Sequence, residues 1–349
     1  NCFWWFNLGS TVDFAVTPRP IYRADGGKIL DIATWPPDLA KRLKADLWDF
    51  PFGSFWGPYA GLDASQWIAD AARWIEAHEK PDLNLVYLPH LDYDFQRYGP
   101  NSPQAALARG EIDKLAGRLA DDFERSGVEV MIVSEYGITA VNRAVLLNRC
   151  LRQGGWLVVK DERGHEVIDL FHSRAYAVCD HQVAHIYVRS TQDLPAVRAA
   201  LTALPGVGRI LDKSEQQAAG LAHIRSGDLL LEADLHSWFA YPYWEDDAQA
   251  PDFARTVDIH RKPGYDPCEL LVDPAIRLPW VRLAWFFLRK KFGLRALLKL
   301  TPLDPQLIRG SHGRVPEDSL DWPVLIEPRA GLPATLEATQ VRDRLAAGF

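Results

Sequence analysis

Residues 84–96, Asn84-Leu85-Val86-Tyr87-Leu88-Pro89-His90-Leu91-Asp92-Tyr93-Asp94-Phe95-Gln96, decide how the fold is read. The apolar run 84–88 is bounded by Pro81 and Pro89, which predicts a short buried strand. Polar side chains directly after such a strand point into a cleft rather than a core. The pattern recurs at Val128–Val133, an apolar run followed by Ser134-Glu135-Tyr136-Gly137. Helical periodicity precedes each run. Trp67, Ile68, Ala71, Trp74 and Ile75 form one stripe within Ser65–His78, and Glu111–Arg125 is helical again. Strands alternating with helices predict an α/β fold with a doubly wound, mostly parallel sheet. Ligands of such sheets bind at the carboxyl ends of the strands.

Working outward, Ala144–Arg152 reads as a short helix that Gly154-Gly155 ends. Residues 155–235 change character. Short strands are predicted at Trp156–Lys160, His185–Val188, Gly208–Leu211 and Leu229–Glu232, with helices at Leu194–Leu204 and Ser214–Ala219. We read this as a smaller α+β subdomain inserted into the main sheet. The expected division is a core over 1–154, the insert over 155–235, and a return to the core over 236–349. Arg277–Lys299 carries seven cations and no acid among Trp and Phe residues. We read it as a helix capping the core with a solvated basic face, the alternative being a helix on a membrane surface. Trp322–Ile326 closes the chain with a last short strand.

With 48% hydrophobic and 24% charged residues, the 349-residue chain is neither disordered, collagen-like nor coiled coil. Its net charge of −7 argues against general nucleic-acid binding. Thirteen Trp beside one Met point to a Trp-rich core or a stacking cleft. Cys2, Cys150, Cys179 and Cys268 form no C-x-x-C pair, which excludes a zinc ribbon. Scattered thiols in a chain this long are expected to be reduced, which favours the cytoplasm. No apolar stretch of roughly 20 residues predicts a membrane span. The chain opens on Asn-Cys-Phe-Trp-Trp-Phe without Met, and we expect a segment upstream of Asn1.

The polar residues after the two strands are candidates for chemistry. Asp92 and Gln96, four apart, can share a divalent metal if the loop begins a helical turn. Asp92 or Asp94 can equally serve as a helix cap. Glu135, one residue past the second strand, can ligate metal, act as a base, or pair with Arg143. His312 lies in Arg309-Gly310-Ser311-His312-Gly313, where glycines permit close approach to a ligand; a surface histidine is the plainer reading. In Asp258–Asp266, His260, Arg261 and Lys262 form a candidate phosphate-handling loop. Asp180, His181 and His185 make a third polar cluster.

Together and in order, these pieces resemble the type I phosphodiesterase/nucleotide pyrophosphatase branch of the alkaline phosphatase superfamily. The family motif P-D-x-x-G-H-x-x-G-P aligns with Leu91–Pro100, S-D-H-G-M with Ser134–Ile138, and G-T-H-G with Gly310–Gly313. The resemblance implies an alkaline-phosphatase-like fold and hydrolysis of a phosphodiester or pyrophosphate in a small phosphorylated substrate. It implies two zinc-like ions about 4 Å apart. Carried over by position, one ion would be held by Asp92, Gln96 and His312, the other by Glu135 and Tyr136. The nucleophilic Thr or Ser and a further Asp are expected upstream of Asn1.

The departures bear on the metal. Gln96 stands where the family has His, and Glu135-Tyr136 where it has Asp-His. A neutral amide is a poorer zinc ligand than imidazole, and a phenol must lose a proton to bind well. Manganese, iron, or fewer than two ions are therefore open beside zinc. The alternative function is a weakened relative that binds a phosphorylated or lipid-like metabolite without turning it over.

Overall fold

The computed structural model describes residues 11–24, 27–258, 261–294, 296–329 and 331–348. Cys2 and His260 lie outside the described residues. The elements that build the site are α1 (Leu62–Glu79), α2 (His90–Tyr98), α3 (Pro103–Arg125), β1 (Ile132–Val133), β2 (Thr139–Ala140), α4 (Leu147–Gln153), β3 (Ala175–Asp180), β4 (Val183–Val188), β5 (Val207–Leu211), β6 (Leu229–Ala233), α5 (Pro279–Lys291), β7 (Gly310–Ser311) and β8 (Leu325–Ile326).

The predicted stripe of α1 is buried in full, against Val16, Ile32, Leu39 and Leu43. Its opposite face is small. Ala69 and Ala72 pack there against Leu115, Leu119 and Phe123 of α3, so α1 is enclosed on two sides. Ser102 caps α3 by accepting from the Ala105 N–H, and Pro103 occupies its first turn, where no N–H is needed.

The expected doubly wound parallel sheet is not found among the described residues. Residues 84–88 form no strand, and of 128–133 only Ile132–Val133 pairs, antiparallel with β8. The physical reason is that periodicity within a run does not encode the partner a strand needs. An apolar run becomes a strand when a ladder partner takes its N–H and C=O groups. Here Leu85 and Val133 remain 48% and 51% exposed.

The largest sheet lies instead in the segment read as an insert. Its order is β3-β4-β6-β5, antiparallel throughout. Alternate residues of β3 (Ala175, Ala177, Cys179) face the core. Among the described residues, apart from a bridge from Cys179 to Gly264, these strands pair only with one another. Their core is nevertheless shared. One buried cluster joins Ala177, Ile186 and Leu231 to Leu147 and Leu151 of α4 and to Phe239, Tyr241 and Trp244. Buried Asn148 ties α4 to β3, donating to the Ala177 carbonyl at 2.9 Å and accepting from its N–H at 2.8 Å.

The stretch Arg277–Lys299 does not cap the core as expected. It contains α5, which has no buried residue. Cys150, Cys179 and Cys268 are free thiols.

A two-residue strap, β7, links the motifs. It pairs antiparallel with β2, just past the second motif. The Arg309 N–H beside it donates to the Gln96 carbonyl at 2.9 Å, near the C-terminus of α2. A Cβ at Gly310 would overlap the Phe95 carbonyl oxygen. Gly310→Ala is therefore expected to push the strap off α2 and destabilise the fold by about 2 kcal/mol, which urea unfolding measures.

Candidate active site

Asp92 falls in the first turn of α2, with Gln96 one turn later on the same face. The N-cap position is Pro89, so Asp92 is not a cap. Asp94 pairs with Arg97 at 3.0 Å and turns away from the cluster. Tyr136 donates its hydroxyl to Asp92 Oδ2 at 3.0 Å. Its ring stacks on His312, centroids 3.7 Å apart and planes 5° apart. Residues from three separated motifs thus meet. Glu135 is exposed at the rim, and Arg143 pairs with Asp234 rather than with it.

The structure adds residues that the motifs did not select. His181, in the β3–β4 turn, stacks on the other face of His312 with centroids 3.9 Å apart. Its Nδ1 lies 2.7 Å from Asp180 Oδ1 and its Nε2 3.3 Å from Gln96 Oε1. The turn is held in place because the Gln182 N–H donates to the His312 carbonyl at 2.7 Å. The Tyr265 ring lies 5.1 Å from His181. Gly264 sets that ring, running so close to β3 that a Cβ would overlap the Cys179 carbonyl oxygen. The signal for His181 was the Asp180-His181-His185 cluster, but nothing in one sequence says which cluster reaches which motif.

Of the proposed phosphate-handling loop, Arg261 is exposed and lies 3.4 Å from Asp258. Lys262 does not reach a ligand. Its ammonium is fully buried, 2.7 Å from Asp266 and 2.6 Å from Glu269, and donates to the Thr256 carbonyl. Burial opposes its charge, but the two carboxylates outweigh that and hold its pKa above the usual lysine value. Glu269 also accepts from the Trp56 indole at 2.6 Å. The loop enters the site through Tyr265, not through Lys262.

Electrostatics follow from enclosure. Desolvation raises the Asp92 carboxyl to about 6 against the pull of the Tyr136 hydroxyl, and nearby Glu135 adds to the rise. Burial, with His181 as neighbour, pushes His312 down to about 2, so its ring is neutral at ordinary pH. Burial and the Asp92 charge hold the Tyr136 phenol far above its usual range. Tyr136 is a proton donor to Asp92, not a phenolate.

These facts test the implied metals. Among the described residues, no three His, Cys, Asp or Glu side chains stand together, as arranged, to share an ion. The imidazoles lie face to face, so their lone pairs do not converge. The donor chemistry fits one divalent ion: an enclosed carboxylate short of positive partners, an amide oxygen and imidazole nitrogen. Tyr136 is hydrogen-bonded to Asp92, and Glu135 is exposed at the rim.

Helices and small sheets that bring an enclosed carboxylate on α2 and two histidines from distant segments together define a mixed helix–strand protein with a polar cluster. The chain belongs to the type I phosphodiesterase/nucleotide pyrophosphatase family, whose profile matches residues 1–266. A pyrophosphatase/phosphodiesterase of Schizosaccharomyces pombe is 28% identical over 83 residues, 22% of this chain and 17% of that protein. Phosphonoacetate hydrolase of Sinorhizobium meliloti, solved with phosphonoformate, aligns at 17% identity and TM-score 0.39 over 55% of this chain and 45% of that one. Murine ectonucleotide pyrophosphatase/phosphodiesterase 5, an inactive variant solved with AMP, aligns at 20% identity and TM-score 0.38 over 52% and 45%. The chain therefore spans less than half the length of these relatives.

The Asp92 shift has a signed consequence. Folded, the carboxyl keeps its proton up to about pH 6; unfolded, it loses it near 3.8. Stability from this group is full below 3.8, falls as pH rises through that window, and is level above it. In metal-free protein, Asp92→Asn is expected to abolish this slope and to melt higher than wild type at neutral pH. Tyr136→Phe removes the stabilising donor and should move the upper end of the slope to higher pH. Thermal melts across the window, with a chelator present, check both.

Proposed function

We propose that this chain carries the site of a hydrolase acting on phosphodiester or pyrophosphate bonds of a small phosphorylated substrate. The observation that carries the reading is the meeting of Asp92, Tyr136 and His312 within one stacked, hydrogen-bonded cluster in a member of this family. We further propose one divalent ion held by Asp92, Gln96 and His312, with zinc, manganese and iron as the candidates. Such an ion polarises a phosphoryl oxygen when bound.

The residues of the chain have separable roles in this reading. The Tyr136 hydroxyl fixes one Asp92 oxygen and leaves the other for a ligand. His312 stays neutral and keeps a lone pair available. His181 is held against Asp180 and borders the same space. Exposed Arg261 is the cation of its loop that a substrate phosphate can reach. The alkaline-phosphatase-like core and an insert over 155–235 belong to the same proposal. A second reading, binding without turnover, is favoured by the Tyr136–His312–His181 stack, in which the rings fill their own cluster.

Full-length protein assayed on an aryl phosphodiester, with zinc, manganese or iron added in turn, tests this. Asp92→Ala and His312→Ala are each expected to lower kcat/KM by more than about 100-fold, or ~2.7 kcal/mol. Tyr136→Phe should lower it about tenfold. Turnover indifferent to Asp92→Ala would remove the cluster as the active site. A nucleotide bound without turnover, and without stoichiometric metal, would favour the second reading.

A further inference from the structure

Helix α5 is built the wrong way round for a core helix. An amphipathic helix on a protein core turns its apolar stripe inward. Here Phe287, Trp280, Ala284, Leu288, Val281 and Trp285 follow one another around about 160° of the circumference at ~100° per residue, and all six are exposed. Trp280 is 65% exposed and Trp285 59%. Half-buried Pro279, Leu283 and Phe286 lie on the opposite side, with half-buried Arg289 at its edge. The apolar surface continues past the helix, with Phe292 71% exposed and Leu294 and Leu297 also exposed.

The charges make a pattern with this face. Arg282 and Arg289 lie together on one flank, and Lys290 and Lys291 close the C-terminal turn. Lys290 Nζ sits 5.0 Å over the Phe286 ring, and Arg282 donates to the Lys299 carbonyl at 3.3 Å. From Arg277 to Lys299 there are seven cations and no acid, in a chain whose net charge is −7. Uneven charge of this kind is local design, not the average surface. Among the described residues, no helix is long and apolar enough to cross a membrane.

We propose that α5 and the residues after it form a docking surface for an anionic lipid bilayer, with the helix lying in the plane of the interface. Trp and Phe insert at the headgroup boundary, where aromatic rings are favoured, while the Arg and Lys side chains reach the lipid phosphates. Both contributions are required. The apolar face supplies burial, and the cations select anionic lipid and make binding salt-sensitive. An apolar protein partner would need no such excess of positive charge. The proposal is independent of the chemistry assigned to the Asp92 cluster.

Flotation of the full chain with vesicles tests it. The expected result is binding to phosphatidylcholine vesicles containing phosphatidylserine. Binding should be weaker by more than about tenfold to phosphatidylcholine alone, or at high salt. A Trp280→Ser, Trp285→Ser, Phe287→Ser triple variant should lose flotation. An Arg289→Gln, Lys290→Gln, Lys291→Gln variant should lose its preference for anionic vesicles. All the substituted residues are exposed except half-buried Arg289, so thermal melts should be little changed, and the charge variant retains the test if the aromatic one misfolds. Three results would overturn the proposal: no vesicle binding by wild type, flotation indifferent to both variants, or a dimer dispersed by the aromatic variant that shows a second copy covering the face.

Discussion

The site depends on one close approach, that of Gly310 to the last turn of α2. Helix C-termini leave carbonyls without intrahelical partners. The Gln96 carbonyl accepts from the Arg309 N–H, and the strand that follows pairs with Thr139–Ala140. Asp92 and Gln96 arrive on the helix, Tyr136 on the segment leading into the paired strand, and His312 just beyond the strap. A side chain at Gly310 would separate all three. Backbone contact, not side-chain affinity, therefore sets the cluster's geometry.

A second constraint holds the far wall. Lys262, Asp266 and Glu269 form a buried ionic knot that also takes in the Trp56 indole and the Thr256 carbonyl. Buried ion pairs rarely add much net stability, because desolvation cancels most of their attraction. Removing one partner is still costly, since the others are left charged and enclosed. The knot fixes the loop that presents Tyr265 to His181. Lys262, which looks like a ligand-binding cation in the sequence, thus serves as an internal brace.

Helices were the most legible part of the fold. The stripe in Ser65–His78 and the pattern in Glu111–Arg125 both fall inside observed helices, because a helix satisfies its own backbone and needs only one apolar face. The strands were less legible. Ala175–Asp180 escaped notice because its core-facing positions are small, Ala175, Ala177 and Cys179. Asn84–Leu88 reads as a strand but pairs as none among the described residues, and the partner a strand needs is not encoded in its own residues. Arg277–Lys299 showed its charge but not the direction of its apolar face.

By itself the sequence determined the order of the motifs, the family they belong to, and Asp92, Gln96, Glu135, Tyr136 and His312 as candidates, with Asp92, Gln96 and His312 assigned to one ion and Glu135 and Tyr136 to another. Periodicity and motif order are local and can be read along the chain. Only the tertiary structure decided that His181 completes the stack, that Tyr136 donates a hydrogen bond to Asp92, and that Lys262 is sealed away. Each of those depends on distances between segments far apart in the chain, and on how much water the packing leaves around a charge.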